Sequence, residues 1–220
     1  LLDLDQYLRR GGGLIFLPGG RVNVAFYNEQ LLKRLHFLPA ALGSVTGQVE
    51  DDDKFVQFQD KDYAHPLVSI WNDPAAGTLA STRIFKWFAL QPAPSVTPPG
   101  ESDAAHAKLQ EAGDPRVVLK YADGTPSVME RTWGLGRVVL FSTTADTAWN
   151  DLPVRLAWLP LVHRVLGSII QRQDEGLNIR VGEKLVRRVK MEFLDKDATF
   201  FKPRQTEAVR DLRRIELVSG

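Results

Sequence analysis

The stretch from Leu4 to Gly20, LDQYLRRGGGLIFLPGG, constrains the fold of this chain more than any other. Leu4 and Leu8 share one helix face, and the three glycines that follow allow the left-handed backbone with which many helices end. The next four residues, 14–17, are all apolar, which is typical of a strand buried on both faces in a parallel sheet. A helix followed at once by such a strand is the second half of a strand–helix–strand crossover unit. The pattern therefore predicts an α/β fold, and the missing first strand leads us to expect a fragment of a longer protein.

The turn after this strand holds Pro18, Gly19 and Gly20, at a place where many α/β proteins carry a reactive residue. A nucleophile at such a turn is a Ser or Cys with a base nearby, and neither proline nor glycine can do that work. Gly19 and Gly20 could let a phosphate approach the backbone, but no Lys-Ser or Lys-Thr pair follows them. We predict no catalytic residue here and treat both glycines as tentative ligand-binding positions, with simple chain reversal as the favoured interpretation.

A second strand end carries more polar chemistry. Ser142, Thr143, Thr144 and Asp146 follow the apolar run 138–141. Ligands of open α/β sheets bind at the carboxyl ends of strands, so three hydroxyls and a carboxylate could hold a small polar ligand. The alternative is that Thr144 or Asp146 caps a turn and that Asn150 or Asp151 caps the next helix. Both interpretations stay open from the sequence.

Composition excludes several kinds of function. The 220 residues carry a formal net charge of +1, which gives no electrostatic argument for nucleic acid as a partner, and they include no cysteine, so disulfides and thiolate sites are excluded. The four histidines are scattered, none of them paired at i, i+4, and we predict neither a metal site nor a cofactor. A hydrolase that uses Asp146 or Asp151 with His163 remains a further alternative, although no activated nucleophile is visible.

The chain is expected to contain one domain over 1–176 and a partial β-rich segment over 177–220, where 11 lysines and arginines face 7 acidic residues. Within the first domain, apolar spacing predicts helices over 28–38 and 153–173. Alternation over 45–49 and 55–58 predicts a hairpin around the acidic turn between them.

Five stretches within residues 4–170 resemble class I glutamine amidotransferase-like domains. They are YLRRGGGLIFLPG (7–19), YNEQLLKRLHFLPAALG (27–43), HPLV (65–68), DGTPSVMERTWGLGRVVLFSTTADTAWNDLP (123–153), which is the most specific, and LPLVHRVL (159–166). The closer resemblance is to such domains in large bacterial membrane proteins, several of them planctomycete, that begin with an aerotolerance-regulator-type membrane region. This resemblance implies a flavodoxin-like three-layer sandwich with a mostly parallel sheet. Enzymes of the family hold a catalytic Cys where this chain holds Pro18 and Gly19, so the resemblance implies the fold without the activity.

The expected function is that of a non-catalytic interaction or scaffolding module. The resemblance implies a membrane-anchored envelope protein whose soluble domain faces away from the cytoplasm, with any membrane segment outside this chain. Its partners would be other domains of the same protein, neighbouring envelope proteins or further copies of itself. Binding of a small polar ligand at residues 142–146 and an unrecognised hydrolase or amidotransferase-like activity are the alternatives.

Overall fold

A computed structural model describes residues 2–49, 53–95, 112–174, 197–200 and 211–214. The chain divides into two compact units, residues 1–175 and 176–220. In the second unit, the described residues form one antiparallel pair of strands, Asp197–Phe200 with Asp211–Arg214.

The described residues of the first unit include three helices. Helix α1 is Leu2–Arg9, and α2 is the single turn Val24–Phe26, which continues as a wider helix over Tyr27–Arg34. Helix α3 is Trp158–Asp174. Short 3-10 turns lie at Ser69–Asn72, Pro74–Ala76 and Leu152–Val154.

Within the described part of this unit, six strands form two sheets. The strands are β1 (Gly13–Phe16), β2 (Ala40–Gly47), β3 (Lys86–Pro92), β4 (Arg116–Lys120), β5 (Pro126–Trp133) and β6 (Gly136–Phe141). The larger sheet has the order β1-β6-β5-β4, and β2 pairs with β3 in the smaller one. Only β1 and β6 run parallel among these described strands, in the register Gly13 to Arg137; the pairs β4–β5, β5–β6 and β2–β3 are antiparallel.

The expected fold class, a flavodoxin-like three-layer sandwich with a mostly parallel sheet, is therefore wrong. The reason lies in the connections: β4 joins β5 through residues 121–125, and β5 joins β6 through residues 134–135. A parallel connection needs a crossover of a dozen or more residues, whereas short turns like these join antiparallel neighbours. The unit is a mixed α/β fold with one parallel pair and an antiparallel meander.

Two local predictions also need correction. The hairpin of 45–49 with 55–58 is wrong, because β2 pairs with β3, while Val56 and Phe58 make single bridges to Ile84 and Tyr121. The acidic residues 50–52 of its proposed turn lie outside the described part of the chain. The long helix begins at Trp158 rather than near residue 153, since the chain leaves the preceding 3-10 turn in an extended conformation at Arg155.

Helices cover both faces of the parallel pair. On one face, Val139 and Phe141 of β6 pack in one core cluster with Leu161 and Val165 of α3. On the other face, Val138 packs with Leu8 of α1 and with residues that follow α2. Because neighbouring residues of a strand point to opposite faces, the apolar run of β6 serves both clusters at once. The prediction of burial on both faces was made for residues 14–17, but strand β1 is only half-buried, whereas residues 138–141 of β6 are all buried.

Gly136 marks the closest approach of α1 to the sheet. A Cβ atom at this position would lie 2.3 Å from the carbonyl oxygen of Gly12 and 2.5 Å from that of Leu8. Both neighbours are backbone atoms, which cannot swing away as a side chain can. The glycine therefore permits the contact between α1 and the start of β6.

We predict that Gly136→Ala lowers the free energy of unfolding by about 1–3 kcal/mol, the usual cost of overpacking. Gly167→Ala is the matched control, because nothing lies within 4 Å of the added Cβ on helix α3. There, alanine should be neutral or stabilising by up to about 1 kcal/mol. Urea denaturation followed by tryptophan fluorescence measures both changes. Equal stability of Gly136→Ala and the wild type would contradict this account of the α1 contact.

Candidate functional site

The structure brings the two predicted strand ends together. Because β1 and β6 are parallel neighbours, their carboxyl ends lie at the same edge of the sheet. A Cβ atom on Gly19 would lie 3.1 Å from Cγ2 of Thr144, and one on Gly20 would lie 3.8 Å from the ring of Trp149. The glycine turn and the hydroxyl-rich segment thus form one strand-end cluster, comprising Gly19, Gly20, Ser142, Thr143, Thr144 and Asp146.

Two hydroxyls of this cluster bind partners within the protein. The Ser142 side chain is fully buried, and its Oγ lies 2.6 Å from the hydroxyl of Tyr121. The Thr143 hydroxyl donates to the carbonyl oxygen of Lys86 at 3.0 Å. Burial raises the pKa of Tyr121 to about 12, so this phenol stays protonated at neutral pH. These groups tie β6 to β3 and β4.

Asn150 holds the rest of the segment in place. Its amide nitrogen donates to the carbonyl oxygen of Thr144 at 3.0 Å and to the Thr143 hydroxyl at 3.2 Å. Its amide oxygen accepts from the backbone N–H of Leu152 at 2.9 Å. Only 1% of Asn150 is exposed, so a buried amide with several partners fixes the loop. Sequence reasoning assigned Asn150 a helix-capping role and missed this one.

Asp146 is the polar side chain of the cluster that reaches solvent. Its carboxylate accepts from the backbone N–H of Ala148 at 3.0 Å. Hydrogen bonds from the Thr144 side chain and from this N–H lower the pKa of Asp146, so the carboxylate is ionised at neutral pH. The cluster therefore offers a ligand one exposed anion, while Ser142, Thr143 and Thr144 are buried. Ligand binding at this place stays a prediction.

A second cluster, which the sequence analysis missed, centres on Glu130 in β5. Its side chain is 4% exposed and lies between two basic side chains: Oε2 is 2.8 Å from a guanidinium nitrogen of Arg137, and Oε1 is 3.2 Å from Nε2 of His65. Burial alone would raise the pKa of Glu130, but the His65 hydrogen bond and the charges of Arg137 and Arg116 outweigh it and lower the pKa. The carboxylate is therefore ionised inside the protein.

His65 is engaged at both ring nitrogens. Nε2 faces Glu130, and Nδ1 accepts from the backbone N–H of Leu67 at 3.3 Å. A histidine that acts as a general base needs a free nitrogen lone pair, and this pattern leaves none to a substrate. Arg164 of α3 donates to the carbonyl oxygens of Pro66 and Leu67, and these hydrogen bonds hold the same segment against α3. The arrangement is thus a structural anchor for the segment around His65.

The neighbouring Arg131 holds two further segments of backbone by hydrogen bonds. It is 3% exposed, and its guanidinium donates to the carbonyl oxygens of His36, Leu38 and Pro94 at 3.1–3.3 Å. Burial lowers the pKa of Arg131. Glu130 and Arg131 are adjacent charged residues in a mostly apolar strand that is buried on both faces. Buried charges need partners, so this pair could have indicated both anchoring sites from the sequence.

The hydrolase alternative named Asp146 or Asp151 with His163. Asp151 binds two arginines: Oδ2 lies 3.1 Å from Nε of Arg83, and Arg155 donates to the same oxygen. These hydrogen bonds outweigh its burial and lower the pKa of Asp151. His163 is exposed on α3. The partners recorded for both carboxylates in the described residues do not include this histidine.

The long segment that connects β2 to β3 forms an open groove, which we call the 60–78 groove. Its volume is about 960 Å³. Tyr63 and Trp71 form its buried floor, and the side chain of Asn72 binds both backbone polar groups of Tyr63. The other residues along it are Asp60, Lys61, Asp62, Ala64, Pro74, Gly77 and Thr78.

Two further features bear on the class of site. Within the described ranges, no three ligating side chains converge as a metal ion requires. In the same part of the chain, every helix is too short or too polar to cross a bilayer.

Comparison with known proteins gives a likeness of fold. No protein family profile and no curated protein sequence matches the chain. The solved structures that match include the cytoplasmic protein STM1381 from Salmonella typhimurium LT2, with a TM-score of 0.52 at 15% identity, and the cytoplasmic protein STM3548 from Salmonella typhimurium, with a TM-score of 0.52 at 13% identity. Each match covers 76% of this chain and 58% of the other. At this identity the likeness concerns the fold alone.

We predict that Glu130→Gln lowers the free energy of unfolding by about 3 kcal/mol at neutral pH, because it leaves the largely buried guanidinium of Arg137 without its anion. Since the folded pKa of Glu130 lies below its ordinary value of 4.5, the carboxylate stabilises the fold above that pH. The difference between wild type and variant should shrink as the pH falls through the lower, folded pKa. Urea denaturation from pH 7 to pH 3 measures this convergence.

Glu29→Gln is the control for this experiment. Glu29 pairs with Lys33 on an exposed helix face, and over half of each side chain is exposed. Such surface pairs contribute little, so this variant should stay within about 0.5 kcal/mol of the wild type throughout. If Glu130→Gln behaved like the control, the buried cluster would not have the structural role assigned to it.

Proposed function

We propose that this chain is a non-catalytic interaction module that binds other protein domains through a fixed apolar tip, formed by Val154 and Leu156. These partners are other domains of its own full-length protein or neighbouring proteins. The proposal rests on one observation above all: Leu156 is 98% exposed and Val154 is 72% exposed, on a segment whose backbone is anchored. Exposed apolar groups on rigid supports are typical of protein interaction sites.

The anchoring of this segment is specific. Leu152 and Ala157, on either side of the tip, are 1% and 6% exposed, so they fasten it to the core. Between them, Arg155 donates to the carboxylate of Asp151, and its backbone N–H donates to the carbonyl oxygen of Leu152 at 3.0 Å. The two apolar side chains therefore project from a fixed backbone, which reduces the entropy lost on binding.

The polar residues that could support catalysis form hydrogen bonds within the protein. The hydroxyls of Ser142 and Thr143 bind Tyr121 and the backbone of Lys86, and both ring nitrogens of His65 have partners. The turn after β1 holds Pro18, which is buried, where the resembling enzymes hold a cysteine. These observations support a binding role over an enzymatic one.

The proposal includes a location in the cell envelope, as part of a membrane-anchored protein and on the side away from the cytoplasm. Its support is the resemblance of residues 7–19 and 123–153 to domains of bacterial membrane proteins. The two similar solved structures carry the word cytoplasmic in their names, which is a statement about those proteins.

A photo-crosslinking amino acid in place of Leu156, in the full-length protein within its native cells, tests the interaction role. We expect a discrete crosslinked product with one protein domain, because a fixed apolar tip selects its partner. Adding Val154→Glu should abolish the product. Separation of membrane and soluble fractions in the same experiment reports the location.

The crosslinker in place of Lys33 is the control, since this exposed lysine lies on the helix after α2. If Leu156 gave no more product than Lys33, the interaction role would be refuted. Recovery of the product only in the soluble fraction would refute the membrane location alone.

A second candidate function, binding of a small polar ligand, is favoured by the 60–78 groove and by the exposed carboxylate of Asp146. A thermal-shift screen against amino acids, nucleotides, sugars and divalent metals tests it. A ligand at 100 times its dissociation constant should add about 2.7 kcal/mol to the free energy of unfolding.

Two variants locate any ligand found in this way. Loss of the shift in Asp146→Ala would assign the ligand to the strand-end cluster, and loss in Asp60→Ala would assign it to the groove. No shift across the panel would contradict this second function.

A further inference from the structure

Strand β1 has the composition of a central strand but lies at an edge of the sheet. Its residues Leu14, Ile15 and Phe16 are apolar on both faces, yet all are only half-buried. Among the described strands, β6 is the neighbour of β1, and the sheet order ends at β1 on the other side. Natural edge strands are usually protected by charges, prolines or bulges, and β1 carries none of these before Pro18.

The register of β1 shows which backbone groups point outward. The N–H of Arg137 donates to the carbonyl oxygen of Gly12, and Gly13 lies opposite Arg137. In a parallel ladder, successive residues alternate between the two sides of the strand. The peptide groups of Leu14 and Phe16 therefore point to β6, and those of Ile15 point to the open side.

Helix α3 extends the same surface. A Cβ atom on Gly13 would lie 1.8 Å from Cγ2 of Ile169, so the helix passes directly over β1. The side of α3 nearer to β5 carries Arg164, which binds the segment beside Glu130. The opposite side, which we call the α3 flank, consists of Leu159, Leu166 and Ile170, with exposures of 64%, 43% and 59%. By helical spacing this flank lies beyond Ile169, on the side of the open edge of β1.

We propose that the open edge of β1 and the α3 flank form one interface that binds a second copy of this chain. The two β1 strands pair antiparallel about a twofold axis that passes midway between the two copies of Ile15. The outward N–H of each Ile15 donates a hydrogen bond to the outward C=O of the other. A twofold axis perpendicular to the sheet places both α3 helices on the same face. This inference does not depend on the proposed function, since the apolar tip lies outside the interface.

The spacing of the elements favours this occupant. Paired strands lie about 4.8 Å apart, and α3 contacts both β1 and β6, so the two α3 axes would lie roughly 10 Å apart. That separation is near the 8–10 Å at which helices pack. A single operation thus covers the strand edge and the apolar flank of each copy, as in isologous interfaces.

The charges of the flank are compatible with self-association. Leu159, Leu166 and Ile170 follow one another at helical spacing, and His163 is the ionisable residue on the same stripe. Two uncharged apolar stripes attract without the repulsion that a charged flank would meet in its own copy. An interface made of these groups has the apolar core that homodimers prefer.

Sedimentation equilibrium of the purified chain over a concentration series tests the proposal. We expect a reversible dimer of twice 24.6 kDa, and a dissociation constant raised roughly 100-fold or more in L166E/I170E. Val45→Glu is the matched control, because Val45 is 44% exposed on β2, outside the interface, and this variant should dimerise like the wild type. Circular dichroism of each variant verifies its fold.

A second measurement keeps the test decisive if the double variant misfolds. The chain has no cysteine, so Leu166→Cys introduces a unique thiol close to the proposed axis. It should form an intermolecular disulfide at least about tenfold faster than Val45→Cys, because pairing holds the two thiols near one another. A monomeric wild type, a dimer that survives L166E/I170E, or equal disulfide rates would each overturn the proposal.

Discussion

The parallel pairing of β1 with β6 positions most of what is functionally interesting in this unit. It covers only four residues of each strand, from Gly13 to Phe16 and from Arg137 to Leu140. It brings two strand ends that are far apart in sequence to one edge of the sheet, where Gly19 meets Thr144. It also determines the face on which α3 packs. Alternate residues of β6 point to opposite faces of the sheet, and those on one face belong to the core cluster of α3, whereas Val138 on the other face belongs to the cluster of α1. Without this pairing neither the strand-end cluster nor the surface beside β1 would exist.

The polar residues of the unit are used mainly to hold irregular segments against the sheet. Glu130 fixes the segment at His65, Arg131 fixes the segment around Leu38, and Asn150 fixes the loop after β6. A buried polar group costs about 1–3 kcal/mol if it is left without a partner, so each of these contacts specifies one loop conformation. The excursion between β2 and β3 has few regular elements, and such anchors replace the backbone ladders it lacks.

The sequence predicted the local elements well and the topology poorly. The apolar runs of β1 and β6 identified two strands, although only the run 138–141 of β6 is buried throughout. The mostly parallel sheet was inferred from β1 and from the family resemblance, and the short turn between β5 and β6 shows that it is wrong. The hairpin near residue 50 failed because β2 found its partner some forty residues away, and alternation does not reveal which strand pairs with which. Glu130 was overlooked since its partner His65 lies 65 residues away in sequence.

In the proposed dimer, the outer edge of β1, which is open in a single copy of the chain, pairs with the same edge of a second copy. Amide hydrogen exchange measured by NMR at low and high protein concentration tests it most directly, residue by residue. Leu14, whose N–H points to β6, should be protected at both concentrations. Ile15, whose N–H points outward, should exchange quickly in dilute solution and at least about tenfold more slowly when dimers form. Rapid exchange of Ile15 at every concentration, or full protection already in dilute solution, would contradict the account.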